Sequence, residues 1–298
     1  MMQAEHTVHC PVCEAVRWKR VFDVNDHSIS KETFTIVECD NCSLRYTSGA
    51  PASDQIARYY KSENYISHTN TSKGVINLVY QWVRKFMLGK KRKLITQVAT
   101  ISTGTLLDYG SGAGAFLAHM KKAGWNATGV EPDADARSTA HRDFGVELLK
   151  PTDLNNLSAA QFDVITLWHV VEHIHELDKT IAQLKLLLKP QGVILIAVPN
   201  YTSLDAYHFG PYWAAYDVPR HLYHFSPHSM EVLMQKHGLK VVDKKALWFD
   251  SFYVSLLSTR YQKGKTDYAD GLWQGIRSTR ETMRTVDRCS SLIYIITQ

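Results

Sequence analysis

The chain has 298 residues, 45% hydrophobic and 21% charged, with 34 basic against 29 acidic side chains. That supports a real core, enough for one large domain plus a small one, and the mild positive balance does not by itself imply a nucleic-acid partner. The polar start MMQAEHTVHC lacks the apolar core of a signal peptide, and no apolar run approaches the roughly 18 residues of a membrane span, so a soluble cytoplasmic protein is expected.

In chain order, the first feature is a pair of C-x-x-C units, Cys10/Cys13 in CPVC and Cys39/Cys42 in CDNC. Each puts two thiolates on one tight turn, and two such turns supply the tetrahedral set of four that suits zinc. Two disulfides are the plainer alternative, and iron would accept the same ligands. A closed four-sulfur site is structural and holds together a segment too small to build its own core. Residues 1–50 are therefore expected to form a zinc ribbon, with TFTIVEC as a strand leading into the second pair.

SGAPASD reads as a linker, with Ser53 placed to cap a following helix. Residues 51–100 are expected to be a largely helical linker or cap. Ile56, Tyr59 and Tyr60 would share one face, and Val75, Leu78, Val79, Trp82 and Phe86 another. The basic stretch RKFMLGKKRKL is read as a solvated helix face rather than a phosphate-binding patch.

From about residue 101, strands alternate with helices. TLLDY, NATGVE, VELL, FDVITLWH and GVILIAVPN read as strands. Between them lie helices over AFLAHMKKAG, DADARSTAHRDFG and LDKTIAQLKLLLK, the last stopped by Pro190 and Gly192. Continuously apolar strands separated by helices mean an α/β fold with a parallel sheet covered on both faces. SPHSMEVLMQKHG is a further helix with Ser226 as N-cap and Pro227 at its first position. LKVVDKKALW and SSLIYIITQ read as strands around a mostly helical insertion, 249–288. A strand at the end of the chain is read as completing the domain.

The loop after the first of these strands is Gly110-Ser-Gly112-Ala-Gly114, with Asp108 before it and Glu131 at the end of the next strand. Strand ends, bare backbone and a helix N-terminus converge there, which makes it a nucleotide-type cofactor site. GSGAGA alone fits G-x-G-x-G as well as the G-x-G-x-x-A variant used for dinucleotides, and Glu131 can accept from two ribose hydroxyls in either case. Asp108 helps to separate them. A carboxylate repels a pyrophosphate but attracts a cofactor carrying an ammonium and a sulfonium, as S-adenosylmethionine does. Bracing of the loop by Asp108 is compatible with either cofactor.

LLDYGSGAGAFL, GVEPD, FDVITLWHVVEHI, LLKPQGVILIAVPN and the closing strand pair together resemble the class I S-adenosylmethionine-dependent methyltransferases. The small-molecule type that includes the ubiquinone-pathway O-methyltransferases is the nearest likeness, over about residues 60–298. The resemblance implies a Rossmann-like seven-stranded methyltransferase sheet of order 3-2-1-4-5-7-6, with SSLIYIITQ as an antiparallel strand seven. It also implies roles by position. Asp108 and Gly110 would face the methionine amino group and carboxylate, and Gly112 and Gly114 would permit close approach. Glu131 would bind the ribose, Asp153 stands near the adenine amine position with Leu154 as an alternative, and His169 falls at the methionine part. Glu63–His68 (ENYISH) resembles a segment that closes over the cofactor.

HVVEH, His169–His173, matches H-x-x-E-H, a zinc-peptidase pattern that needs both histidines on one helix with Glu172 as base. Here His169 ends an apolar strand, so a loop at a cofactor pocket is the expected reading. The loop after the fifth strand is dense in Tyr, Trp, His and Pro, and holds Asp217, Arg220, His221 and His224 in DVPRHLYHF. Substrates of open α/β sheets sit beyond the strand ends, and methyl transfer needs alignment and at most a base. Histidine is apt for that base. His221 is the first candidate, with His173 and His224 behind it, and bracing of the loop is the alternative for each. Arg220 could pair with Asp217 or receive an anionic substrate.

The leading expectation is a methyltransferase acting on a small molecule, glycan or lipid intermediate, with S-adenosylmethionine and a structural Zn2+. The rivals are an RNA methyltransferase using the ribbon to bind RNA, a non-catalytic cofactor-binding interaction protein, and an NAD-dependent dehydrogenase. The ribbon is not especially basic, and VPNY replaces the N-P-P-Y or D-P-P-Y motif of many base-amine methylases.

Overall fold

The fold comes from a computed structural model, which describes residues 9–60 and 75–298, with side chains of the first long helix described from residue 86. Glu63–His68 and the side chains of Val75, Leu78, Val79 and Trp82 lie outside the described residues.

The elements in order are β1 (Trp18–Asn25), β2 (Thr33–Cys39), β3 (Arg45–Ser48), α1 (Val75–Ala99), β4 (Thr105–Tyr109), α2 (Ala115–Lys122), β5 (Asn126–Val130), α3 (Ala134–Phe144) and β6 (Leu148–Leu149). They continue with β7 (Phe162–Trp168), α4 (Leu177–Leu187), β8 (Leu188–Pro199), α5 (Leu204–Phe209), β9 (Tyr223–His224), α6 (Pro227–Lys236), β10 (Lys240–Ala246), α7 (Asp250–Lys263), α8 (Tyr268–Arg284) and β11 (Ser291–Thr297). One sheet has seven strands in the order β10-β11-β8-β7-β4-β5-β6. Read from its other edge, that is the expected 3-2-1-4-5-7-6. The pairs β4–β5, β4–β7 and β5–β6 are parallel, so their connections return through helices. β4 and β7 are buried almost throughout because both faces of the sheet are covered.

Two compact units interleave along the chain. One comprises Met1–Ser62, Val171–Ile181 and Ala197–Tyr294; the other Glu63–Val170, Ala182–Ile196 and Ile295–Gln298. The first unit contains the second sheet, β1-β2-β3-β9. There β3 pairs antiparallel with β9, Arg45 opposite His224 and Tyr46 opposite Tyr223, so the N-terminal ribbon and the histidine loop share one ladder. The helical insertion belongs to the same unit. The buried Asp205 on α5 accepts Ser278 Oγ of α8 at 2.9 Å, Trp213 Nε1 at 2.9 Å and Ser290 Oγ at 2.6 Å. Ser258 Oγ of α7 takes Ala214 N at 2.9 Å. Phe209, Trp213 and Tyr216 are buried among these elements and Ile36.

Several local expectations are corrected. Residue 53 caps no helix: a single 3-10 turn, Ile56–Tyr59, follows, with Gln55 before it and no side-chain cap. Among described residues, 51–100 is helical only there and in α1. Pro190 and Gly192 do not stop α4; the helix ends at Leu187 and β8 begins at once. VELL contributes only Leu148–Leu149, a short edge strand beside β5. Ser226 and Pro227 start α6 as expected, the serine accepting from Ser229 N.

Candidate active site and four-cysteine centre

The second unit carries the glycine loop. Asp108, one residue from the end of β4, is 2% exposed. Its Oδ1 accepts Thr166 Oγ1 of the adjacent β7 at 2.7 Å, and its carbonyl oxygen accepts Ser111 Oγ at 2.8 Å. Burial pushes its carboxyl up to about 6; the Thr166 bond and the charge of Lys91 oppose this, and Glu131 adds to it. Such a group favours a cationic guest, because a nearby positive charge would recover the solvation that burial removes.

The loop is left-handed at three glycines, φ 81° at Gly110, 52° at Gly112 and 77° at Gly114. A Cβ on Gly110 would lie 2.3 Å from Val170 Cγ2, so only glycine fits. At Gly112 the missing Cβ would point into open space, with nothing within 4 Å, which is a cradle that a side chain would fill. Glu131 Oε2 accepts Gly112 N at 2.8 Å and its Oε1 accepts Asp133 N at 3.0 Å. Burial raises its carboxyl also, against these two backbone bonds. Asp108 and the glycine loop are thus built as a rigid, acidic cradle.

His169 follows β7 directly and has φ 57°, uncommon for a non-glycine residue and a mark of a constrained turn. Asp153 sits in the 3-10 turn Pro151–Asn156, where its carboxylate accepts Lys150 N at 2.8 Å. Lys91, from the stretch expected to be a solvated face, places Nζ 4.2 Å from the Trp168 ring centroid and 5.7 Å from that of Phe116. It had no signature beyond its charge. Thr166 did have one, as the polar residue of an otherwise apolar strand interior.

The first unit carries the histidines. His173 Nδ1 lies 2.9 Å from Arg220 O and 3.1 Å from Tyr60 Oη. His221 Nδ1 lies 2.9 Å from Ala215 O. A carbonyl only accepts, so each Nδ1 carries a hydrogen, and in the neutral form of such a ring the lone pair lies on Nε2. The two rings meet edge to face, centroids 4.6 Å apart. Burial, then the neighbouring His221, pulls His173 down to about 4, so it is neutral at physiological pH. One ligand atom from each of Glu172, His173 and His221 lies within 4.8 Å of the others. His224 is buried, its Nε2 3.2 Å from Thr47 Oγ1 and its ring edge-on to Tyr216; burial keeps it well below the usual histidine range. Arg220 pairs with Asp217, as one of the two sequence alternatives expected.

The peptidase geometry is absent. Residues 171–173 make one 3-10 turn, and His169 stands outside it in a left-handed conformation, so no helix aligns the two histidines.

The four cysteines converge. Cys10 and Cys42 sulfurs are 3.5 Å apart, as are Cys13 and Cys39. That is far beyond a disulfide bond, and near the separation of about 3.8 Å between thiolates on one tetrahedral zinc. The two knuckles match each other: Glu14 N returns to Cys10 O at 2.9 Å and Ser43 N to Cys39 O at 3.0 Å, both residues left-handed. The chemistry and spacing of these donors fit a metal.

The family model described as "Methyltransferase domain" matches residues 83–244, more than half of the chain. A ubiquinone biosynthesis O-methyltransferase of Rickettsia bellii (strain OSU 85-389) is 24% identical over 170 residues, 53% of this chain and 70% of the relative. Among solved structures, magnesium protoporphyrin IX methyltransferase from Synechocystis PCC 6803 with bound SAH matches with a TM-score of 0.53 at 11% identity, over 83% of this chain and 100% of that one. Haemonchus contortus phosphoethanolamine N-methyltransferase 2 in complex with S-adenosyl-L-methionine matches with a TM-score of 0.52 at 14% identity, over 85% and 61%. These two show the shared fold. With that sheet order, that glycine loop and that match, the chain belongs to the methyltransferase-domain family and is an S-adenosylmethionine-dependent methyltransferase.

Proposed function

We propose that the protein methylates an oxygen of a small-molecule, glycan or lipid-intermediate acceptor. The observation that carries the cofactor part is Asp108: a buried carboxylate beside a bare glycine loop, with Glu131 locked onto that loop. In this reading Asp108, Gly110, Gly112 and Gly114 hold the methionine part of the cofactor, and His169 borders it. Glu131 receives the ribose, and Asp153 stands toward the adenine. When bound, the cofactor supplies a methyl group on a positively charged sulfur. The chain must then align the acceptor and take its proton.

His221 and His173 suit that second task, because backbone carbonyls fix both rings with Nε2 lone pairs available. His224, bonded to Thr47, supports their loop. Oxygen as the acceptor atom is supported by the likeness to a ubiquinone biosynthesis O-methyltransferase. The four cysteines hold a structural Zn2+ in the same reading, which one equivalent of zinc by elemental analysis would bear out.

A second reading of the histidine centre rests on the convergence of Glu172, His173 and His221. Two imidazoles and a carboxylate suit a divalent cation, which would polarise an acceptor hydroxyl in place of a histidine base. The deciding experiment incubates the protein with methyl-tritiated cofactor and cell extract, then separates lipid, small-molecule, glycan and RNA fractions. Label in one of the first three, lost in His221→Gln, is expected. Label in RNA overturns the acceptor class. Loss of transfer on adding EDTA, restored by Mg2+ or Mn2+, selects the cation.

A further inference from the structure

Within the first unit, the turn that presents His221 is held by a residue of the ribbon. Asp26 follows β1 and is 1% exposed. Its Oδ1 accepts Ser28 N at 3.0 Å, Ser28 Oγ at 2.8 Å and Ile29 N at 3.1 Å; its Oδ2 accepts Ser30 N at 2.8 Å and Ser30 Oγ at 2.9 Å. It also receives both Arg220 amino groups, Nη2 at 3.0 Å and Nη1 at 3.4 Å. Arg220, likewise 1% exposed, uses its other edge on Asp217: Nε to Oδ2 at 3.0 Å and Nη2 to Oδ1 at 2.6 Å. Its Nη1 donates further to Tyr59 O at 3.0 Å. One guanidinium thus spans two carboxylates in a planar fork that a lysine would not reproduce.

Asp217 is left-handed, φ 35°, and its carbonyl accepts His221 N at 3.1 Å, closing a turn over residues 217–221 with Arg220 inside it. Asp217 Oδ2 stands 4.0 Å from His221 Nε2, the atom that the proposed function uses. The ribbon grips the far side of the same residue: Thr47 Oγ1 donates to His221 O at 2.7 Å, and Thr47 N to Leu222 O at 2.9 Å.

We propose that Asp26 is a positioning residue for His221, acting through Arg220 and Asp217, so that the four-cysteine module serves as the scaffold of the histidine loop. The role rests on the reading of His221 as the proton acceptor. A buried arginine with only one carboxylate has lost half its compensation, and the 217–221 turn has lost its anchor. The ring of His221 is then free to leave the Ala215 carbonyl.

The test reads the ring itself and needs no acceptor. In full-length, zinc-loaded protein with 15N-labelled histidine, two-bond 1H–15N spectra assign the tautomer of His221, the assignment being fixed by loss of its signals in His221→Gln. The wild type is expected to show one tautomer, hydrogen on Nδ1. Asp26→Asn and Asp217→Asn are each expected to give signals averaged between two tautomers, and the double variant to match Asp217→Asn alone, because both act through one path. Should Asp26→Asn fail to fold, Ser28→Ala carries the test. It removes a hydroxyl that donates to Asp26 and accepts Arg220 Nη2 at 2.5 Å, and a smaller shift in the same direction is expected. An unchanged His221 tautomer in the folded variants overturns the proposal, as does an additive effect in the double variant. Failure of the underlying reading has a separate signature: His221→Gln would keep wild-type transfer into extract whatever the spectra show.

Discussion

The cofactor cradle and the histidine centre are built in opposite ways. The cradle is local: Asp108, the three glycines and Glu131 fall within 24 residues of sequence, counting both ends, and neighbouring parallel strands complete it. The histidine centre collects Asp26, Thr47, Tyr60, His173 and His221 from five separated stretches, joined by side chains that accept and donate across a buried loop. A cradle made from one strand-turn-helix can keep its geometry under changes elsewhere. A centre assembled from distant stretches depends on every clamp that holds its loop.

Four experiments test that contrast. The largest effect is expected from His221→Gln, which should lower methyl transfer by roughly 10²–10⁴-fold, the range for a general base. Calorimetric affinity for S-adenosylhomocysteine should not change, and a joint loss would mean the two centres are not separable. Next, Cys42→Ser should release the metal and lower thermal stability by several degrees, since a closed structural site contributes folding energy directly. The glycine loop should keep its ligand until that transition.

Asp108→Asn should weaken S-adenosylmethionine binding by about 10–100-fold, the value of one charge-assisted contact at about 1.5–3 kcal/mol. The loss should be smaller for the uncharged-sulfur product, which calorimetry with both ligands would reveal. The smallest effect concerns pH. The Asp108 carboxyl is raised to about 6, so its charged form prevails above that value and is lost below it. Affinity for the sulfonium should therefore fall as pH drops through 6. Lys91→Met should move this midpoint upward, because Lys91 opposes protonation of Asp108. A flat profile between pH 5 and 8 would remove Asp108 from the cation-binding role.

The parts legible in the sequence share a cause. The strands, the glycine loop and the paired cysteines follow from short-range patterns, namely apolar runs, bare backbone and C-x-x-C spacing, while the strand order is implied by the family resemblance. The same logic failed where a local signal met a competing contact. Pro190 reads as a stop, yet β8 runs through it, with Lys189, Pro190 and Gln191 on its more exposed early part. In the basic run of α1, Lys90, Arg92 and Lys93 are exposed as expected, whereas Lys91 rests over Trp168, whose ring offers a cation a favourable face. The compact units interleave along the chain, and β3 has Tyr223–His224 as its neighbour.

By itself, then, the sequence determined the α/β class, the pairing of the four cysteines in two C-x-x-C knuckles and the acidic glycine loop, because each is set by residues near one another along the chain. Only the tertiary structure decided that Arg220 is spent on Asp26 and Asp217, that His173 and His221 face each other, and that His224 is tied to Thr47. Those pairings join residues up to 194 positions apart. A buried charge takes whichever partner the packed chain brings within reach, and no spacing rule along the sequence specifies that partner.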